Sequence, residues 1–186
     1  MKKIRKTLFI IPIFICSCSS PYLKNYEPIN IFLETEKIDS IKYTILKNKE
    51  SNTQTLRIFN QNEGFNLPTR FDFFGTYDLY NKKHWTKLYN KYSKDTIKKY
   101  WEDKDFKNYN FILEERRYIF SESFFNKYPN CEHIIILSEP IFYWNKKYIM
   151  FFYYKLDFPG NSGNQKVIVM KNINKKWVIE KIFYDY

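Results

Sequence analysis

Apolar residues follow three different spacings along this chain, and each spacing predicts a different kind of segment. Residues 8–15 form an apolar run broken only by Pro12. Around Trp85, apolar residues recur every three or four positions, which indicates a helix. Beyond Cys131 they gather in β-branched and aromatic runs that are typical of strands. Helical patterns before strand patterns predict an α+β domain.

The first part of this domain is expected to mix helices and strands. Apolar residues return at Ile29 after a polar stretch, and residues 29–33 favour a helix. An alternation of apolar and polar positions predicts a strand over residues 40–47. Residues 54–59 are predicted to form another strand, and residues 61–69 a loop that contains Gly64.

The clearest helical pattern lies between residues 78 and 101. One stripe contains the apolar residues Trp85, Leu88, Tyr89 and Tyr92. From Ile97 onwards the apolar positions no longer fall on the same side of a helix as Trp85, and residues that favour helix caps lie where the pattern changes. We therefore predict two helices with a break near residues 93–95. A third, short helix through Phe124 is expected to begin at Ser121 or Ser123 and to end before Pro129.

The last third of the chain predicts four strands. They cover residues 133–137, 148–154, 166–170 and 177–184. Their short connections allow only antiparallel neighbours. The expected fold is thus α+β, with an N-terminal mixed and helical part followed by a C-terminal four-stranded antiparallel meander in a single domain.

The N-terminus has the pattern of an export signal. Four basic residues precede the apolar run, and Cys18 follows it. The run is far shorter than the ~20 apolar residues that span a bilayer. Residues 15–18 read Ile-Cys-Ser-Cys and resemble the lipobox of bacterial lipoproteins. An uncleaved signal anchor and cleavage by the ordinary signal peptidase are the alternatives.

This motif predicts the domain organisation and the location. Residues 1–17 are expected to be a lipoprotein signal peptide, 18–28 a tether and 29–186 a single α+β domain, with Cys18 acylated. Ser19 is not the aspartate that retains many lipoproteins at the inner membrane, so the resemblance favours the outer membrane. No acidic cluster follows Cys18, which favours the periplasmic face.

Charge and cysteine content narrow the choice of partners. The whole chain has a net charge of +11, and removal of residues 1–17 leaves 27 basic and 20 acidic side chains, a net charge of +7. The lysines are scattered rather than clustered, so no nucleic-acid partner is expected, and attraction to anionic lipid head groups is favoured. Only Cys18 and Cys131 remain, so neither an intramolecular disulfide nor a cysteine metal cluster is expected. Cys131 is interpreted as a small, partly buried thiol.

Four groups of residues are candidates for a chemical role. His84 is interpreted as a solvated helix residue and His133 as a structural residue at the start of a strand, with a catalytic base as the alternative for each. Residues 114–117, two glutamates and two arginines, favour local pairing over an acid pair with a cationic clamp. Residues 102–105 read as a polar helix end rather than a carboxylate dyad. No catalytic, cofactor-binding or metal-binding residue is therefore predicted.

Residues 124–130, 135–140 and 172–177 together carry a resemblance to a known group. Their pattern, over roughly residues 85–186, resembles uncharacterised small lipoproteins of Bacteroidota-like bacteria. Loop residues 158–164 lack the cysteines that many of those proteins have there. The resemblance implies an envelope location and an α+β fold, and it implies no chemistry.

These observations predict a lipid-anchored envelope protein with a non-catalytic binding or structural role. The expected partners are the membrane, through Cys18, and another envelope protein. The first alternative is a periplasmic immunity or inhibitor lipoprotein that neutralises a toxin or hydrolase. The second is an envelope hydrolase, which requires His84 or His133 to face a cleft with a carboxylate within hydrogen-bonding reach.

Overall fold

The computed structural model describes residues 23, 25–60, 79–92, 99–119, 121–144, 146–157 and 163–185. The predicted signal peptide, the predicted lipidation site Cys18 and most of the predicted tether lie outside these residues. So do the predicted loop 61–69 and the predicted helix break at 93–95.

The described residues form an α+β fold, as expected. The helices are α1 (Glu27–Thr35), α2 (Asn52–Phe59), α3 (Lys82–Tyr92), α4 (Arg116–Ile119) and α5 (Glu122–Lys127), with a 3₁₀ turn at Asp103–Asp105. The strands are β1 (Tyr43–Leu46), β2 (Ile112–Glu114), β3 (His133–Leu137), β4 (Ile141–Tyr143), β5 (Tyr148–Asp157), β6 (Gln165–Ile173) and β7 (Lys176–Tyr184).

All seven strands belong to one mixed sheet. Its order is β2-β1-β3-β5-β6-β7, and β4 pairs with the first part of β5. Strand β1 is parallel to both β2 and β3, whereas the remaining pairs are antiparallel. Strands β3 and β4 therefore follow one another along the same edge of β5.

The predicted four-stranded meander is not confirmed as a separate unit. Its four segments correspond to β3, β5, β6 and β7, which are antiparallel neighbours. However, β3 also pairs with the parallel strand β1, and β4 lies between β3 and β5 in the chain. Residues 134–137 are buried on both faces of the sheet, so β3 lies in its interior rather than at the edge of a meander.

Ser138 and Pro140 explain why β3 and β4 are separate strands. Pro140 has no N–H with which to continue the ladder. The hydroxyl of Ser138 accepts a hydrogen bond from the Phe152 N–H at 2.9 Å, and the Ser138 N–H donates to the Phe152 carbonyl at 3.2 Å. Ser138 also hydrogen-bonds the hydroxyl of Thr55 on α2 at 2.9 Å. The buried backbone at this break is thus paired, and Glu139 is placed beside it.

Helix α2 replaces the predicted strand over residues 54–59. Ser51 caps the helix, because its hydroxyl accepts a hydrogen bond from the Thr53 N–H at 3.1 Å. Asn52, Thr55 and Phe59 are buried at positions i, i+3 and i+7, which is a helical stripe. The strand prediction for residues 54–59 is wrong, because the helix signal lies in the cap at Ser51 and the buried position at Asn52, both outside that range.

The other helix predictions have mixed outcomes. Helix α3 confirms the first of the two predicted helices, but residues 99–101 are extended rather than helical. Tyr100 forms an isolated bridge with Asn48, which ties this segment to the chain after β1. Ser121 caps α5 as predicted, accepting a hydrogen bond from the Phe124 N–H at 3.3 Å.

The first helix begins two residues before the predicted start of the domain. Helix α1 begins at Glu27, with Pro28 in its first turn, where a missing N–H costs no hydrogen bond. Glu27 and Pro28, which the sequence places in the tether, are therefore helical.

The sheet has a hydrophobic core on each face. On one face, which we call the α2 face, residues such as Met150 and Phe152 pack with α2, α3 and α5. On the other, the α1 face, residues such as Phe151 and Tyr153 pack with α1 and the segment around Trp101. Burying one such aromatic side chain contributes about 1.5–3 kcal/mol, so both faces depend on their helices.

None of the described helices has both the length and the apolar composition needed to cross a membrane.

Candidate functional site

Helix α1 has a polar cluster at each end. Phe32, in its middle, packs edge-on against Tyr153 with a centroid distance of 4.9 Å, which fixes the helix on the α1 face. At its N-terminal end lies the Tyr26 cluster, which consists of Tyr26, Lys49, Trp101 and Glu139. At its C-terminal end lies the Tyr153 pocket, which is lined by Glu36, Ile38, Tyr43, Tyr153, Lys155, Gly163, Asn164 and Lys166.

The Tyr26 cluster contains a buried ion pair. Lys49 Nζ lies 2.7 Å from Glu139 Oε2, and the two side chains are each only 7% exposed. The hydroxyl of Tyr26 donates to Glu139 Oε1 at 2.8 Å and accepts a hydrogen bond from Lys49 Nζ at 2.8 Å. Both carboxylate oxygens therefore have partners, which buried charges require.

Two aromatic rings enclose the ammonium group of this pair. Lys49 Nζ lies 4.1 Å from the ring centroid of Trp101 and 4.6 Å from that of Tyr26. The negative faces of the rings attract the cation. Burial, followed by the charge and hydrogen bond of Glu139, raises the pKa of Tyr26, so its hydroxyl stays a donor. The cluster is well suited to hold the residue before α1 on the domain.

The Tyr153 pocket has a volume of about 280 Å³ and is built by strand register. Tyr153 on β5 pairs with Lys166 on β6, and Lys155 follows two residues later on the same face. Glu36, the residue that ends α1, lies across from them together with Ile38. The pocket therefore has basic side chains on the sheet and an acidic one on the helix end.

The hydroxyl of Tyr153 is the unusual group in this pocket. Its side chain lines the pocket although the residue is only 1% exposed. Within the described part of the chain, the Tyr153 hydroxyl has no hydrogen-bond partner. Burial, and then the nearby charge of Glu36, raises its pKa, so the hydroxyl is protonated at neutral pH. An unpaired hydroxyl that reaches a cavity from a buried residue is a candidate ligand contact.

Gly163 forms the side of the pocket next to β5. A Cβ at this position would lie 1.7 Å from the Lys155 carbonyl oxygen, which is a backbone atom that cannot move aside. Only glycine allows this close approach.

His133 and Asp157 lie beside the pocket as cross-strand partners of β3 and β5. His133 Nδ1 is 2.7 Å from Asp157 Oδ1, and Lys155 Nζ is 3.1 Å from the same oxygen. Partial burial opposes ionisation of Asp157, but hydrogen bonds and positive charge from Lys155 and His133 together lower its pKa. The ring of Tyr43, which lines the pocket, lies 4.4 Å from the imidazole, and His133 itself is not a lining residue.

His84 lies on the opposite face of the sheet. It is half-buried on α3, where its ring stacks on Trp144 with a centroid distance of 5.6 Å. Its N–H donates to Asn81 Oδ1 at 3.1 Å at the start of the helix. Only His133 of the two histidines is therefore near the pocket, and His84 is less exposed than a fully solvated helix residue.

Charged residues within 114–117 form ion pairs at the surface. Glu115 pairs with Arg117 at 3.1 Å, and Arg116 lies 3.6 Å from Glu50, with exposed arginines in both cases. The pair of Glu115 with Arg117 is the local pairing expected for residues 114–117, whereas Arg116 pairs with a residue distant in sequence.

Cys131 is buried, and its thiol lies 3.3 Å from the hydroxyl of Thr44. Among the residues that the structure describes, no group of three or more histidine, cysteine or acidic side chains is placed to hold a metal ion.

Sequence reasoning missed both clusters. Glu139 offered one signal, since it is a single acid inside the long apolar stretch of residues 134–143. A carboxylate there must either break the strand or find a buried cation. Tyr153 offered none, because it lies among other aromatic residues of β5.

Comparison with models of known protein families, with curated proteins and with solved structures found no match to this chain. Its function must therefore be argued from the geometry described above.

Proposed function

We propose that this protein is a lipid-anchored envelope protein with a non-catalytic binding role, and that it binds its ligand in the Tyr153 pocket. The observation that carries the binding role is the hydroxyl of the buried residue Tyr153, which reaches the pocket and has no hydrogen-bond partner in the described part of the chain. Acylation of Cys18 is supported by the export signal and the lipobox-like ending of residues 15–18.

The two ends of α1 suit this arrangement. Seven residues separate Cys18 from Tyr26, and at full extension they span about 25 Å. The Tyr26 cluster would then hold the N-terminal end of α1 close to the membrane surface. The helix has nine residues, so its other end lies about 13 Å further along its axis. The Tyr153 pocket at that end would remain accessible to a ligand.

The anchoring half of the proposal is tested by metabolic labelling. Cells fed an alkyne fatty acid should label the wild-type protein, and Cys18→Ala should abolish the label. Cys131→Ala is the matched control, because it removes the other cysteine of the mature chain and should keep the label. Labelling that persists in Cys18→Ala would refute the anchor.

The binding half is tested by cross-linking in isolated envelopes. We expect a discrete adduct with the wild-type protein that is lost in Tyr153→Phe, which removes only the pocket hydroxyl. Tyr154→Phe is the control, because Tyr154 packs on the α2 face. An adduct that both variants retain equally would show that the pocket is not the binding site.

A second candidate function, an envelope hydrolase, is favoured by the hydrogen bond between His133 and Asp157 beside the pocket. An aspartate can orient a histidine that acts as a general base. If this candidate is correct, hydrolysis of a simple ester probe should be lost in His133→Gln and retained in His84→Gln. Equal rates in the wild type and both variants would remove it.

A further inference from the structure

We propose that the Tyr153 pocket binds a small zwitterion, such as an amino acid or the paired termini of a short peptide. The ligand carboxylate would lie between Lys155 and Lys166 and accept the Tyr153 hydroxyl proton, and its ammonium group would face Glu36. This inference rests on the proposed function, since it names the class of ligand for the same pocket.

The charge of the side chains that line the pocket is the first argument for a zwitterion. Glu36 and Lys166 line it together, and in the described part of the chain neither side chain forms an ion pair. Lys155 points one N–H at Asp157 and retains further donors for a ligand. Opposite charges on two sides of one cavity fit a ligand that itself carries both signs.

The hydroxyl of Tyr153, which can donate a hydrogen bond to the ligand carboxylate, is the second argument. Tyr153 is a buried residue whose hydroxyl reaches the pocket and lacks a hydrogen-bond partner among the described residues, so a ligand in the pocket can accept a hydrogen bond from it. Because its pKa is raised, the hydroxyl donates rather than carries charge at neutral pH. A hydroxyl donor that shares a pocket with the side chains of Lys155 and Lys166 is suited to a carboxylate oxygen.

The volume of the pocket is the third argument. The pocket volume of about 280 Å³ lies just below the range of about 300–1,000 Å³ found for drug-sized ligands. Ile38 and the ring of Tyr43 supply apolar surface for one or two small side chains. The walls therefore fit a small molecule rather than a folded partner.

The test is calorimetric titration of the full chain in detergent with dialanine as the probe. We expect dialanine to bind, and N-acetyl-dialanine and dialanine amide, which lack one charge each, to bind at least tenfold more weakly. Free alanine and trialanine, titrated in parallel, distinguish an amino acid from a peptide as the preferred source of the zwitterion. Equal binding of the capped and uncapped forms would overturn the proposal.

Variants assign the contacts. Tyr153→Phe should weaken binding about ten- to a hundredfold, the range for a hydrogen bond to a charged group. Lys166→Met and Glu36→Gln should each weaken dialanine binding, and Glu36→Gln should leave the affinity for N-acetyl-dialanine unchanged. Lys176→Met, an exposed change at the start of β7, is the control. Melting temperatures of all variants identify any loss of folding.

The experiments distinguish failure of the zwitterion proposal from failure of the proposed binding role. If dialanine fails to bind while the envelope adduct still depends on Tyr153, the zwitterion is wrong and the binding role stands. If neither is observed, both proposals fail.

Discussion

The side chains of Lys49 and Glu139 carry opposite charges and are almost fully buried. The free-energy cost of removing these charges from water is offset only because every charged atom has a partner. Moving each ion from water costs several kcal/mol even after relaxation. The Tyr26 hydroxyl, the rings of Tyr26 and Trp101 and the ion pair itself supply the compensation. Removing one member of the ion pair therefore lowers the free energy of unfolding by more than the pair itself contributes, because the other charge stays buried without a partner.

Lys49→Met should destabilise the protein by about 3–5 kcal/mol, because it leaves Glu139 buried without its cation. The double variant Lys49→Met with Glu139→Leu should be less destabilised than Lys49→Met, since no unpaired charge remains. Urea unfolding measures both. Lys42→Met, which breaks an exposed pair with Glu132, is the control and should have little effect; a similar loss in both single variants would contradict the argument.

Asp157 predicts a pH dependence of stability. Its pKa is lowered in the folded state by Lys155 and His133, against the opposing effect of burial. The stabilisation is therefore present above the unfolded pKa, near 3.8, and is lost as the pH falls through the lower folded value. Asp157→Asn should lower the urea midpoint at pH 6, and this deficit should shrink between pH 4 and pH 2. A deficit that stays constant with pH would show that the ionised carboxylate is not responsible.

At the scale of elements, neighbouring residues determine the secondary structure of some segments, and contacts between distant residues determine that of others. The predicted strand segments that became β3, β5, β6 and β7 were dense in β-branched and aromatic residues, a local property. Residues 54–59 had a similar composition but fold as a helix. Their N-cap and the buried contact of Thr55 with Ser138 favour α2.

Ser51→Ala should destabilise the protein by about 1 kcal/mol, because the first turn of α2 loses a side-chain acceptor. Ser51→Asp retains an acceptor and should remain close to the wild type. Thermal unfolding followed by circular dichroism compares the two. If alanine and aspartate were equivalent at this position, the cap would not contribute to stability.

At the scale of the whole molecule, contacts far apart in sequence hold both ends of the described chain. Tyr26 is tied to Glu139, 113 positions away. Near the C-terminus, Arg57 on α2 pairs with Asp185 through two guanidinium nitrogens and also contacts Gln165. These contacts fasten the residue before the first helix and the residue after the last strand to segments that are distant in sequence.

Asp185→Asn should destabilise the protein by about 1–2 kcal/mol, because it removes the charge from a partly buried, two-pronged pair. Amide hydrogen exchange should become faster at the C-terminal end of β7, and should change little in β1. Equal changes in both strands would show that the effect is not local to this end of the sheet. Asp103→Asn, on an exposed turn, is the matched control.

The sequence by itself determined the features that depend on neighbouring residues. These are the α+β class, helix α3, the Ser121 cap of α5 and the positions of four strands, because periodicity and capping act within a few residues. The export signal and the acylation of Cys18 are also local patterns, and they remain predictions.

Only the tertiary structure decided which strands pair and which polar groups meet. The parallel pairing of β1 with β3 joins segments about ninety residues apart, and no local pattern specifies it. The Tyr26 cluster and the Tyr153 pocket likewise combine residues from separate helices and strands. Their chemistry arises because burial removes water from these groups, and burial is a property of the folded chain rather than of any segment.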